Sequence, residues 1–257
     1  MRQLTAFVKK EWMEVVRNGK LILLVIVFAL FGVMNPAIAK LTPWLMENYS
    51  ESLEKSGIII GEMTVDAMTS WTQYYKNVYM AIIVFMLMSS GIMVIEYQRG
   101  TLINMITKGM ARWKIIVAKT LILSLLWTVN YWMCYGITYA YNAYFWDNGI
   151  AEHVVFGAFC VYLLGLWLLS LMMFMSILFD SAAGVTVGTG AVFFVSYMLS
   201  MVPDLQKYLP TKLMEAPVLL SGAGVAKDFY LAFGVVGVLS VVQLAGAIVL
   251  FNRKKLY

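Results

Sequence analysis

The sequence predicts an all-α integral membrane protein. It would have six transmembrane helices, an N-terminal amphipathic helix at the interface and a short cytoplasmic helix between spans two and three. Three observations predict this. Of 257 residues, 61% are hydrophobic and 13% charged, against roughly 45–50% and about 25% in soluble domains. Several uncharged runs exceed the roughly 18 residues that suggest a span. The charges are also segregated: 13 of the 19 Lys/Arg, but only 4 of the 14 acids, fall in 1–20, 96–119, the turn at Asp180 and the C-terminal tail. That bias predicts cytoplasmic termini, so the net charge of +5 is a topology signal and implies no nucleic-acid partner.

Residues 1–18 place Leu4, Phe7, Val8, Trp12 and Val15 on one helical face, with Arg2, Lys9, Lys10 and Arg17 elsewhere, as in a helix lying in the headgroup layer. Glu11 falls inside the apolar stripe, where it either meets a cation from another segment or snorkels to water. The first span is expected over 21–39, followed by a polar outer loop, 40–75, bearing Glu47, Glu51, Glu54, Glu62 and Asp66, with a short helix near 44–56. The second span is expected over 77–95.

Next comes EYQRGTLINMITKGMARWKIIVAK, residues 96–119, with five basic residues and Glu96 as the one acid. Gly100-Thr101 reads as a helix start, with the Thr hydroxyl accepting an orphan N–H. Leu102–Thr107 gives about two turns and Gly109 a stop. A surface helix that docks a soluble partner and a plain positive loop that fixes orientation both fit.

The third apolar run, 115–145, is too long to cross upright and must tilt or protrude. Its outer half is crowded with aromatics, including Tyr131, Trp132, Tyr135 and Tyr139, which suits an interfacial belt or a wall facing cargo. Spans four and five are expected over 154–178 and 184–201, joined by a tight turn in which Asp180 and Ser181 can cap the fifth. Gly184 and Gly188 have the spacing that lets helices approach closely, within one subunit or between two. Residues 203–228 read as external, with apolar 218–226 too short to span and either re-entrant or interfacial. A last span, 229–251, precedes the basic tail Arg253-Lys254-Lys255.

The missing chemistry narrows the function. No Gly-x-x-x-x-Gly-Lys-Ser/Thr loop is present, so there is no nucleotide site of the chain's own, and no catalytic, cofactor or metal motif stands out. Lone His153 reads as a surface residue, and Cys134 and Cys160 as small buried groups. The centres of the six expected spans lack Asp, Glu, Lys, Arg and His, the groups ion-driven transporters commonly place there. Any work on a solute is therefore powered from outside this chain. Asn130, Thr189, Ser196 and Gln243 supply intramembrane polarity, for interhelical bonds or for lining a pathway.

Four features together resemble the membrane permease subunits of ABC transporters, in the type-two exporter family. They are the amphipathic start with Lys10-Glu11, the grouping of Glu96, Gly100-Thr101, Arg112 and Lys119, the six-span order, and the Pro-bearing segment before the last span. The family often has a proline before the basic pair, where this chain has Thr107-Lys108-Gly109. The resemblance implies that 100–112 is a coupling helix seated on a separate ATP-binding subunit. Residues 1–18 would be the connecting helix, and Glu11, Glu96, Arg99, Gly100, Thr101, Lys108, Arg112, Lys119 and Asp180 would serve coupling. It also implies a second permease subunit, identical or related, with Asn130, Tyr135, Tyr139, Gly184, Gly188, Thr189, Ser196 and Gln243 lining a pathway or the dimer contact. The setting would be a bacterial cell membrane and the cargo amphipathic peptides or other hydrophobic compounds, similar to phenol-soluble modulin export. A membrane-anchored immunity or sensor protein that holds toxic peptides without moving them is the alternative, motivated by the acids of 40–75.

Overall fold

The computed structural model describes residues 2–55 and 65–254; the side chains of 2, 45–47 and 49–55 are not described. All the long elements among these residues are helices, and six are long and apolar enough to cross a membrane. In order they are α1 (Arg2–Arg17), α2 (Lys20–Lys55), α3 (Ala67–Ser89), α4 (Val94–Gln98), α5 (Thr101–Thr107), α6 (Arg112–Phe145), α7 (Val154–Leu178), α8 (Ala182–Leu199), α9 (Pro203–Gln206) and α10 (Tyr230–Arg253). Short 3₁₀ segments at Asn148–Ile150, Pro210–Ser221 and Ala226–Phe229 complete the set.

Three boundaries differ from expectation. The first span and the helix expected near 44–56 are one continuous helix, α2. Its 36 residues reach about 54 Å at 1.5 Å per residue, so one end must project beyond a ~30 Å hydrocarbon core. The acids Glu47, Glu51, Glu54 and Glu62 lie outside the described side chains. Helix α3 begins at Ala67 rather than near 77, because Asp66 caps it: its carboxylate accepts from the Thr69 N–H at 3.0 Å. In the segment before α10, Leu213, Ala216, Leu219 and Leu220 are buried within the 3₁₀ turn, so the expected 218–226 stretch is divided, with Leu219 and Leu220 buried and Val218 and Val225 exposed.

Pro36 and Pro43 sit inside α2, where a proline removes the bond to the carbonyl four residues back. For Pro36 that carbonyl belongs to Gly32, and the Thr138 hydroxyl of α6 donates to it at 3.0 Å. Asn35 donates to Thr138 Oγ1 at 3.0 Å and accepts from Asn77 of α3 at 2.8 Å. One polar cluster thus repairs the proline defect and ties α2, α3 and α6 together in a region without water to substitute. A Cβ on Gly32 would stand 3.0 Å from the Cys134 carbonyl oxygen and from Ile137 Cβ, so α2 and α6 touch backbone to backbone here. Thr138→Val should therefore cost about 1–3 kcal/mol by leaving buried polar groups unpaired, while Thr138→Ser keeps the bonds. Thermal unfolding of the two variants in one detergent checks this.

Helix α7 is the central column. It packs along α10 and α6 and carries the Pro210–Ser221 segment and α8. The Trp127 indole of α6 lies over Gly165 of α7 and donates to the Tyr162 carbonyl at 3.1 Å. Of the α6 outer-half aromatics, Tyr131 and Tyr135 are interior, with Tyr135 in ring contact with Trp71 and Tyr74 of α3, whereas Tyr139, Tyr141, Tyr144 and Phe145 are exposed. The Pro210–Ser221 segment wedges against α7, α10 and α3, and Tyr79 donates to the Met214 carbonyl at 3.0 Å. Helix α8 is held only along one side, mainly by α7.

Candidate functional site

Helix α1, the start of α2, the turn at α4–α5, the start of α6 and the end of α10 meet at the end of the bundle where the basic residues gather. Phe7 and Val15 bury the apolar stripe of α1 against the bundle, and Glu11 is buried between them, 3% exposed. Lys119, eight residues into α6 and 1% exposed, donates to Glu11 at 2.8 Å and to Glu96 of α4 at 3.2 Å. One buried ammonium therefore joins three helices that are remote in sequence.

Lys10 closes the network from the water side. Its Nζ lies 2.9 Å from Glu11, 2.8 Å from Glu14 and 2.9 Å from Glu96. Partial burial disfavours its charge, but hydrogen bonds with Glu14, Glu96 and Glu11 outweigh this and raise its pKa above the ordinary lysine value. Glu11, Glu14 and Glu96 bring carboxylate oxygens within 4.8 Å of one another, a spacing that suits a cation. The Lys10 ammonium already bonds all three, so the cluster is an ion-pair knot rather than a metal centre. A buried pair gains little over apolar packing of the same shape, but removing one member strands a charge. The knot therefore fixes geometry more than it adds stability.

Gly100 and Gly109 set the bounds of α5. Gly100 is the residue before the helix and adopts φ +64°, a left-handed turn that most side chains resist. Gly109, at φ +82°, ends it: the Gly109 N–H meets the Ile106 carbonyl at 2.9 Å and the Met110 N–H meets that of Met105 at 3.2 Å. That pairing satisfies carbonyls a helix end would leave orphaned. Thr101 does not cap the helix as expected. Its hydroxyl donates to the Glu96 carboxylate instead, because Gly100 occupies the cap position and Glu96 is folded back within reach. With Leu102 buried, α5 is anchored by one face, and Ile103, Asn104, Thr107 and Lys108 are exposed on the other.

The structure does not bring all the sequence-selected residues together. Glu11, Glu96, Thr101 and Lys119 converge on the knot. Arg99 and Gly100 form the turn between α4 and α5, with Arg99 exposed. Arg112 and Asp180 are engaged with the end of α10: Arg112 donates to the carbonyls of Phe251 at 2.6 Å and Lys254 at 2.7 Å, and Asp180 pairs with Lys254 at 2.7 Å. Asn130 donates to the Leu126 carbonyl of its own helix, and Gln243 accepts from Ser170 of α7 at 2.6 Å. Ser196 and Thr211 hydroxyls lie 3.5 Å apart, joining α8 to the 3₁₀ segment. Tyr135 is packed inside, while Tyr139 is 44% exposed. The Gly184 and Gly188 faces meet Phe179 of the same chain, with Met175 also beside Gly188. That spacing is thus filled by packing within the subunit.

Thr189 lines a cleft of about 370 Å³ between α3, α7 and α8, with Ile82, Met86, Leu168, Met172 and Phe193 among its walls. Sequence reasoning did not bring Met86 of α3 and Met172 of α7 to a common wall. It also missed the Asn35–Asn77–Thr138 cluster, whose one sequence trace is Pro36 inside an apolar run.

Six apolar helices, with a surface platform held at one end by buried ion pairs, define a multi-pass membrane protein. The chain belongs to the ABC-2 family transporter proteins, whose family model matches residues 5–256. It is accordingly a membrane component of an ABC transporter, distinct from the ATP-binding subunit that such a component works with. It is similar to the uncharacterized transmembrane protein YxlG of Bacillus subtilis (strain 168), 25% identical over 239 residues, which cover 90% of this chain and 89% of the relative.

Proposed function

We propose that this permease is half of an exporter: two such subunits, identical or related, form the pathway, and each docks an ATP-binding subunit through α5. The observation that carries the reading is the platform itself. Glu96 and Thr101 tie the turn carrying α5 to α1 and α6 through Lys119, while Ile103, Asn104, Thr107 and Lys108 are presented outward. A short helix gripped this way transmits a push rather than absorbing it. The Lys/Arg bias supports a cytoplasmic position for this end, where ATP is available, and for both termini with it, in a cell membrane.

The cargo suited to this interior is hydrophobic or amphipathic, including amphipathic peptides. The α3–α7–α8 cleft is walled almost wholly by apolar side chains, with Thr186 and Thr189 as its polar points. Few convergent polar groups in a large apolar cleft favour shape-tolerant apolar ligands over small ions.

Binding to the ATP-binding subunit tests the docking reading. Ile103→Asp combined with Lys108→Glu changes only the outward face of α5. The pair is expected to weaken co-purification of the ATP-binding subunit by at least about tenfold, as losing a central contact does, with thermal stability unchanged. Undiminished binding by this double variant would overturn docking through α5.

A further inference from the structure

A second group of long-range contacts lies on the same end of the bundle but outside the ion-pair knot. Arg112, the first residue of α6, sends its guanidinium to the last turn of α10 and contacts the carbonyls of Phe251, Asn252 and Lys254 at 2.6, 3.1 and 2.7 Å. A cation at a helix N-terminus is electrostatically misplaced for its own helix, and the negative end of a neighbouring helix compensates it. Lys254 continues the contact: its Nζ donates to the Ile177 carbonyl at the end of α7 at 2.9 Å and to Asp180 at 2.7 Å. It also sits 4.3 Å above the Tyr97 ring of α4, and Phe251, fully buried, packs edge-on to the same ring. Tyr97 immediately follows Glu96 of the knot.

We infer that Lys254 and Arg112 are positioning residues that latch the ends of α10 and α7 to the platform bearing α5, so that a push on α5 reaches these two helices. The inference rests on the docking reading above. The knot by itself links α5 only to α1 and α6. Without the latch, the pair α7–α10, the most extensive helix contact in the bundle, is tied to the platform by polar contact only indirectly among the described residues, through Trp127, Thr128 and Tyr131 farther along α6. The latch is built to hold and release: its carbonyl contacts are short, yet Asp180 is 76% exposed and Lys254 lies at the water edge. The basic tail thus does more than fix orientation.

The test uses the complex with its ATP-binding subunit in lipid nanodiscs, with spin labels at exposed positions. One pair, Gln98→Cys with Leu125→Cys, reads the turn carrying α5 from outside its docking face; the other, Leu231→Cys with Leu125→Cys, reads the far end of α10. ATP is expected to change both distances in the otherwise native chain. Lys254→Met, which keeps the aliphatic stem but not the donor, should leave the α5 change intact and shrink the α10 change at least about fivefold, a modest coupling loss. Lys254→Arg should retain both.

A full α10 change in Lys254→Met overturns the latch, as does its equal loss in Lys254→Arg, which would assign the effect to packing. If Lys254→Met fails to assemble, Asp180→Asn decides, and an undiminished α10 change there overturns the proposal. A silent α5 pair in the native chain overturns the docking reading and the latch with it. A responsive α5 pair beside a silent α10 pair removes the latch alone.

Discussion

Lys119→Met is expected to destabilise the protein by about 3–5 kcal/mol, the range for stranding a buried charge. The variant removes the ammonium 2.8 Å from Glu11 and 3.2 Å from Glu96, two carboxylates whose side chains are 4% and 6% exposed. Lys10 alone is left to serve Glu11, Glu14 and Glu96, and it approaches them from the side open to water. Apart from this point, α1 is tied to α6 by the exposed Lys114–Gln3 bond at 2.7 Å, so α1 should loosen first. Adding Glu11→Leu to Lys119→Met removes a stranded carboxylate and leaves Lys10 opposite Glu96, so the double variant should recover much of the loss. Thermal melts in one detergent give both numbers. Additive losses in the double variant would show that the three groups do not act as a network.

Gly100→Pro should have the second largest effect, and mainly on coupling. Proline holds φ near −65°, against +64° observed at Gly100. It also removes the N–H that meets the Tyr97 carbonyl at 3.2 Å and disfavours the helical backbone of Arg99 before it. A backbone conflict of about 3 kcal/mol would reorient α5 and lower affinity for the ATP-binding subunit roughly 100-fold. Gly100→Asn is the control. Nothing lies within 4 Å of a Cβ at this position, and asparagine visits the left-handed region with little strain, so it should bind nearly as the native chain does. Equal affinities for the Pro and Asn variants would show that the turn does not set the position of α5.

What the sequence disclosed was local. The six apolar runs, the Gly109 stop and the capping role of Ser181, which accepts from the Gly184 N–H at 3.0 Å, depend on residues within a turn of one another. Glu11 is visible in the sequence as an acid inside an apolar stripe, but its partner Lys119 is 108 residues away. Arg112 and Asp180 look like surface charges of the basic end, and only the return of α10 beside them shows what they hold. Thr101 illustrates a closer failure: cap preference favours its hydroxyl as an acceptor, yet Glu96, folded back by the Gly100 turn, makes it a donor. The length of α2 was hidden for another reason. Prolines at 36 and 43 each remove a helix hydrogen bond, and the repair at Gly32 comes from α6, outside any local window. The Gly184/Gly188 spacing permits contact within or between subunits, and only the structure shows that Phe179 of the same chain lies beside both glycines.

Hydrogen–deuterium exchange across residues 101–110, in lipid nanodiscs with and without the ATP-binding subunit, tests the central claim most directly. Docking through α5 should slow exchange of the amides from Leu102 to Lys108 when the ATP-binding subunit is present, while the buried core of α7 stays unchanged. Identical exchange of α5 in the two samples, with the ATP-binding subunit bound, would contradict it.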